Sequence, residues 1–285
     1  MLCSDISSTI AVPATLVYNV LMSKPKQIVL FLSLLCAVPV AASGTPDQLI
    51  IEHGPRDSKK IALTFDACPT GKADEYDENV IDVLLRENVR ATLFLSGRWV
   101  EKNQEQAKFL ASLPQFEIAA HSFYHPHMKE KDDDRGRREF ARTQAMIRQV
   151  TGKTARYFRP PYGEVDERVA NLAKNAGLVT IQYDLASGDP DPNLSAKAIA
   201  RSILREAKGG SIIVFHMNRN GVHTAEALPE IIEGLRKKGF SLVSVGELLQ
   251  EEKRGETVIA RSRGPVKTFR ALPVALKPSH PATER

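Results

Sequence analysis

The chain is predicted to fold as a single α/β domain whose parallel strands, each followed by a helix, curl into a distorted (β/α)7-type barrel. Short apolar, β-branched or aromatic runs alternate with helix-period segments from residue 60 to residue 252 of a 285-residue chain. In addition, polar residues stand at the carboxyl ends of five of those runs: Asp66, His121, Arg159, Asp184 and His216. A barrel brings such ends to one mouth. An open doubly wound sheet, which shares the alternation, would spread them along an edge and offer a crevice only at its switch point.

The elements follow in order. KIALTF (60–65) is the first strand, and Asp77 directly precedes the first turn of a helix at 78–88. ATLFLS (91–96) leads to a helix at 99–111, on which Trp99 reads as a packing residue, and FEIAA (116–120) ends at His121. The run KEKDDDRGRRE (129–139) reads as a solvated loop and the start of a helix spanning 136–151. ARYF (155–158) and LVTIQY (178–183) flank a helix at 165–176, and a Pro-rich turn precedes the helix at 195–208. SIIVF (211–215), a helix at 224–238, FSLV (240–243) and a last helix at 244–252 complete seven βα units.

The two ends differ from this middle. Lys24 and Lys26 precede IVLFLSLLCAVPVA, an apolar run too short to span a bilayer comfortably and followed by small residues. Residues 1–42 thus read as a secretory signal region cut after Ala42, with Met22 an alternative start, and no transmembrane segment is expected in the mature protein. Residues 43–57 are a lead-in, residues 58–250 the folded domain, and residues 251–285 a basic, Pro-containing tail without periodicity that reads as disordered. The formal charge of +5 sits in these ends, because residues 43–250 balance to zero. The pI of 9.0 is therefore no sign of a nucleic-acid partner. Of the three cysteines only Cys68 follows the leader, so the mature chain has no internal disulfide. Cys68 reads as small buried packing.

His121 and His125, four residues apart, carry the chemical signal. Two imidazoles so spaced can share a cation with a carboxylate from a neighbouring strand end, leaving one position open, which is the pattern of a metal-assisted hydrolase.

Taken together, TFDAC (64–68), HSFYH (121–125), RPPYG (159–163) and IIVFHMN (212–218), in that order and each at a strand end, resemble the NodB-homology polysaccharide deacetylases of carbohydrate esterase family 4. The resemblance covers roughly residues 58–250. It implies a NodB-like distorted barrel and metal-dependent removal of N-acetyl groups from N-acetylglucosamine-type sugars. By resemblance Asp66 is the general base, Arg159 orients it, His216 is the general acid that protonates the leaving amine, and Tyr162 offers a backbone amide to the oxyanion. Asp189 matches the acid that holds the imidazole of His216, although Pro190 stands where the family has Trp.

The family's second Asp, a metal ligand beside the two His, is Ala67 here. His121 and His125 then need a third partner for a divalent metal, with zinc expected: Asp66 itself, or Asp77 or Asp74 from the following loop, Asp77 first. Asp77 reads equally as a helix N-cap. His127 reads as a surface residue or a neighbour of the ligands.

Two functions remain open on the sequence. One is an exported, periplasmic hydrolase of carbon–nitrogen bonds whose partner is peptidoglycan or a related N-acetylated polysaccharide. The other is a non-catalytic carbohydrate-binding relative with a decayed metal site, favoured by Ala67 and Pro190. The sequence carries no signal for an oligomeric state.

Overall fold

The computed structural model describes residues 49–69 and 76–250. The expected leader, the first part of the lead-in, Asp74 and the basic tail lie outside the described residues. Among these residues the order is β1 (Ile50–Ile51), β2 (Lys60–Ala67), α1 (Glu78–Arg86), β3 (Ala91–Leu95), α2 (Gly97–Lys102), α3 (Gln104–Ser112), β4 (Phe116–Ala120), α4 (Asp133–Thr151) and β5 (Tyr157–Phe158). There follow α5 (Glu167–Asn175), β6 (Val179–Ile181), β7 (Leu185–Ala186), α6 (Ala196–Glu206), β8 (Ile212–His216), α7 (Thr224–Lys237), β9 (Ser241–Val243) and α8 (Val245–Leu249). No helix among them is long and apolar enough to cross a membrane.

Every strand pair is parallel, in the order β1-β6-β5-β4-β3-β2-β8-β7, with β9 also on β2. The hub is β2, and its period-2 alternation separates two cores. Ile61, Leu63, Phe65 and Ala67 face the layer of helices, while Ala62 joins Phe94, Ala119, Tyr157, Ile181, Ile212 and Val243 on the other face. Arg159, just past β5, bonds Thr64 and Asp66 of β2 across three strand spacings, roughly 14 Å in a flat sheet, so the sheet curls into a distorted barrel of parallel strands covered by helices. The hydrogen-bonded path ends at β1 and β7, so among the described residues the ring is not closed. Val245 and Leu248 of α8 pack into the inner core from the end where the strands begin, helped by bonds from the amides of Val245 to Thr92 and of Gly246 to Glu117.

The departures from the predicted elements are local. The helix expected at 99–111 is two, because Asn103 leaves the helical region (φ −116°, ψ 50°) and its amide caps the carbonyl of Trp99 at 2.9 Å. Helix α4 starts ahead of the expected 136, where the Asp132 carboxylate accepts from the amide of Arg135. The two-residue strands β1 and β7 are too short for any alternation to announce them. Trp99 is fully buried between sheet and helices, as its packing role requires.

Candidate active site and metal centre

Because the sheet curls, the carboxyl ends of β2, β4, β5 and β8 meet. Asp66 and His216 are cross-strand partners on β2 and β8, so the two groups sit side by side at the mouth, as opposed residues on neighbouring strands must. Arg159, just past β5, reaches across the interior: its Nη1 donates to Asp66 Oδ1 at 2.9 Å and to the Thr64 hydroxyl at 2.8 Å. The guanidinium lies 4.0 Å over the Phe94 ring and donates to the carbonyl of Gln182. Both charges are buried, Arg159 at 0% exposure and Asp66 at 5%. Asp66 Oδ2 is left facing the mouth, 3.8 Å from His121 Nε2.

The segment carrying the two histidines is not helical. Ser122 (φ 60°) and His125 (φ 59°) both take the left-handed region, which folds 121–125 into a compact turn. That strain is held by bonds on every side. The amides of Gly97 and Arg98 donate to the carbonyls of Ser122 and Phe123, at 2.9 and 3.0 Å. The buried Glu139 carboxylate accepts from the amides of Phe123 and Tyr124, each at 2.8 Å. A Cβ at position 97 would overlap the Phe123 ring, so only glycine fits there. The turn brings the two imidazole centroids to 4.8 Å. His121 bonds the carbonyl of Arg159 through Nδ1 at 2.9 Å; carbonyls only accept, so Nδ1 carries the proton and Nε2 faces the site.

What Nε2 faces is Cys68, whose Sγ lies 3.5 Å away. The sulfur and one nitrogen of each imidazole lie within 4.8 Å of one another. Two imidazoles and a thiol are a donor set suited to zinc, and in a tetrahedral site neighbouring donors stand roughly 3.3–3.8 Å apart. Small side-chain adjustments would close the observed trio to that spacing, so the residues present fit a divalent cation. Burial pushes the Cys68 thiol up, but His125 and His121 beside it more than offset this and hold it well below the usual thiol value. Burial lowers His121, yet Asp66 and Cys68 leave it raised overall.

Asp77 does not join these residues. Its carboxylate caps α1, accepting from the amide of Asn79 at 3.1 Å, so of its two expected uses the structure adopts the N-cap, and the thiol stands where its carboxylate was expected. The packing role expected of Cys68 is corrected with it: the residue is buried, but against histidines. Period-2 alternation was the available signal, since it sets residue 68 on the Asp66 side and Ala67 among the helices. Asn218 was also missed as a site residue; buried at 1% exposure, it donates its side-chain amide to the carbonyl of Cys68.

Asp189 does reach His216. Its Oδ1 bonds Nδ1 of the imidazole at 3.0 Å, and its Oδ2 accepts from the amide of His216 at 2.8 Å and from the Thr224 hydroxyl at 2.6 Å. The Ser187 hydroxyl completes its shell. Burial alone would lower the imidazole, but Asp189 first, then Cys68, raise it well above the ordinary histidine value. Asp189 is held below the usual carboxylate range by His216 and the hydroxyl, against the upward push of its burial. Tyr162 (φ 59°) sits at the rim, stacked on His127 with centroids 4.1 Å apart and edge-on to His125. His127 bonds Glu164 and stays part-exposed, beside the site and outside the trio.

Comparison with known proteins gives a consistent picture. The family described as polysaccharide deacetylase matches residues 53–181. A bifunctional xylanase/deacetylase from Pseudobutyrivibrio xylanivorans is 34% identical over 68% of this chain and 31% of its own, so the chain spans about a third of that relative. A peptidoglycan-N-acetylglucosamine deacetylase from Bacillus cereus is 30% identical over 72% of this chain and 95% of its own. Among solved structures, a carbohydrate esterase family 4 pseudoenzyme from Bacillus anthracis, of which a mutant has restored enzymatic activity, aligns with a TM-score of 0.65 at 29% identity. That alignment covers 71% of this chain and 69% of the pseudoenzyme.

The His216–Asp189 pair generates a pH prediction. A raised imidazole contributes stability that is complete below its unfolded value and lost as pH rises through its folded value; a depressed carboxylate contributes stability lost as pH falls through its folded value. In metal-free protein, wild type should therefore exceed Asp189→Asn in stability around neutrality, with the difference shrinking toward both extremes. The imidazole of His216 should titrate at lower pH in the variant. Urea unfolding across pH and histidine NMR titration check both, and an unchanged His216 titration would count against the coupling.

Proposed function

The chain belongs to the polysaccharide deacetylase family, and from that premise we propose that it removes N-acetyl groups from N-acetylglucosamine-type sugars of peptidoglycan or a related glycan. Its relatives include peptidoglycan deacetylases, hydrolases acting on carbon–nitrogen bonds, and these support the substrate class. The observation that carries the reading is a base and an acid side by side on β2 and β8, each held by its own buried partner.

Amide hydrolysis needs a proton removed from the attacking water and a proton delivered to the leaving amine. Asp66 has its Oδ1 tied to Arg159, which holds the carboxylate in position and leaves Oδ2 to accept the first proton. His216, 19% exposed in its side chain and kept charged by Asp189, supplies the second. A divalent cation, zinc in this proposal, held by His121 and His125 with the Cys68 thiol beside them, would supply Lewis-acid polarisation of the acetyl carbonyl. Tyr162 at the rim borders the place where the acetyl group would lie, in keeping with a backbone amide offered to the oxyanion.

A second reading is favoured by Ala67, which lacks the family's carboxylate, and by the likeness to a pseudoenzyme: a glycan-binding protein without turnover. The two part on acetate release from N-acetylated peptidoglycan and chitooligosaccharides. His216→Ala should lower turnover by about two to four powers of ten with metal content unchanged, and Asp66→Asn by at least as much. His121→Ala should lose both metal and turnover. Metal-loaded wild-type protein that binds glycan but releases no acetate would select the second reading.

Export to the periplasm through the 1–42 leader belongs to the same proposal, because the polymer lies outside the cytoplasm. The leader is outside the described residues. Amino-terminal sequencing of the protein from periplasmic extracts should begin at Ser43; recovery only in the cytoplasm with the leader intact would reject export.

A further inference from the structure

We infer that the Cys68 thiolate is the third protein ligand of the metal, replacing the carboxylate that the family resemblance places at position 67; the assignment rests on the metal-dependent reading above. The strand geometry selects it. Ala67 faces the helix layer with no exposure, whereas Cys68, two residues beyond Asp66, turns to the mouth. Its sulfur stands 3.5 Å from His121 Nε2 and within 4.8 Å of the donor nitrogen of His125.

The thiol is also fixed in place. The carbonyl of Ala67 accepts from the amide of Ser96 at 3.2 Å, and the carbonyl of Cys68 accepts from Asn218, so the backbone is pinned on both sides of the Cα. Among the described residues no carboxylate joins the trio: Asp66 Oδ2 lies 3.8 Å from His121 Nε2 but is not among the donors that all lie within 4.8 Å of one another, and Asp77 caps the start of α1.

Sulfur in place of oxygen would change the metal the site prefers while keeping the number of protein ligands at three. A thiolate is a softer ligand than a carboxylate, so the site should prefer zinc and cobalt to manganese and magnesium. Three protein ligands leave one tetrahedral position open, as a catalytic site requires.

Cobalt(II) loading of the full chain tests the assignment. Wild-type protein should bind one equivalent and show an intense near-ultraviolet thiolate-to-cobalt charge-transfer band. Cys68→Ser should lose the band and weaken cobalt binding by more than about 100-fold, beyond the loss expected for a partner outside the ligand set. Cys68→Asp should bind cobalt without the band and gain affinity for manganese relative to zinc, which keeps the test meaningful if the serine variant folds poorly. Full cobalt occupancy of wild type without the band, failure of wild type to bind cobalt, or wild-type affinity in Cys68→Ser would overturn the assignment. So would an acetyl thioester on Cys68 trapped from chelator-treated protein during turnover, which would make the thiol a nucleophile. A charge-transfer band without acetate release would leave Cys68 a ligand and remove the deacetylase reading; acetate release without the band would do the reverse.

Discussion

The site depends on one residue buried in the barrel. Arg159 fixes Asp66 through its guanidinium and His121 through its carbonyl, so the proposed base and one proposed metal ligand are positioned from the same backbone unit. Its amide in turn bonds the carbonyl of Ala120, which ties the residue to the end of β4. Burying this ion pair is costly, and a buried pair commonly adds little net stability. The Thr64 hydroxyl, the Phe94 ring and the Gln182 carbonyl offset part of the cost, yet Nε of Arg159 has no partner among the described residues. A charge kept under those terms fits a role in positioning better than one in stability.

The same logic recurs around the mouth. Glu139 is buried on α4 with its carboxylate aimed at the strained turn that presents His125, and Asp189 is buried beneath His216 with the Ser187 and Thr224 hydroxyls and both the amide and the imidazole of His216 bonded to its carboxylate. At position 221 a Cβ would meet both Thr224 and Asp189, so the loop after β8 can close over the acid's partner only with glycine there. Groups that bear the chemistry are thus each held by a second buried group from a different element. Precise geometry at the mouth follows from that redundancy.

Much of this was legible in the sequence. Alternating β and α periodicity announces the parallel sheet, and Asp66, His121, Arg159, Asp184 and His216 at strand ends announce a shared mouth; four of the five meet there, while the Asp184 carboxylate bonds Arg56, the Ser211 hydroxyl and the amide of Ile212 where β8 begins. Asp189 could be matched to His216 only through the family resemblance, since no local rule joins residues 27 positions apart. The turn at 121–125 was not legible, for its left-handed Ser122 and His125 are imposed by Gly97 and Glu139 from other elements. The position of Cys68 is open to the strand-period argument, whereas the missing acid at Ala67 points to the following loop and to Asp77, which serves its helix instead. The two-residue strands and the break at Asn103 depend on tertiary pairing and a single backbone angle, neither of which periodicity reports.

Arg159→Lys separates the two jobs assigned to this residue. The substitution keeps the positive charge and the backbone carbonyl but removes the planar fork that spans Thr64 and Asp66. Turnover of the metal-loaded protein should fall by roughly ten- to a hundredfold while metal content, set by the imidazoles and the carbonyl behind His121, stays at the wild-type level. Unchanged turnover, or loss of metal in step with activity, would contradict the account.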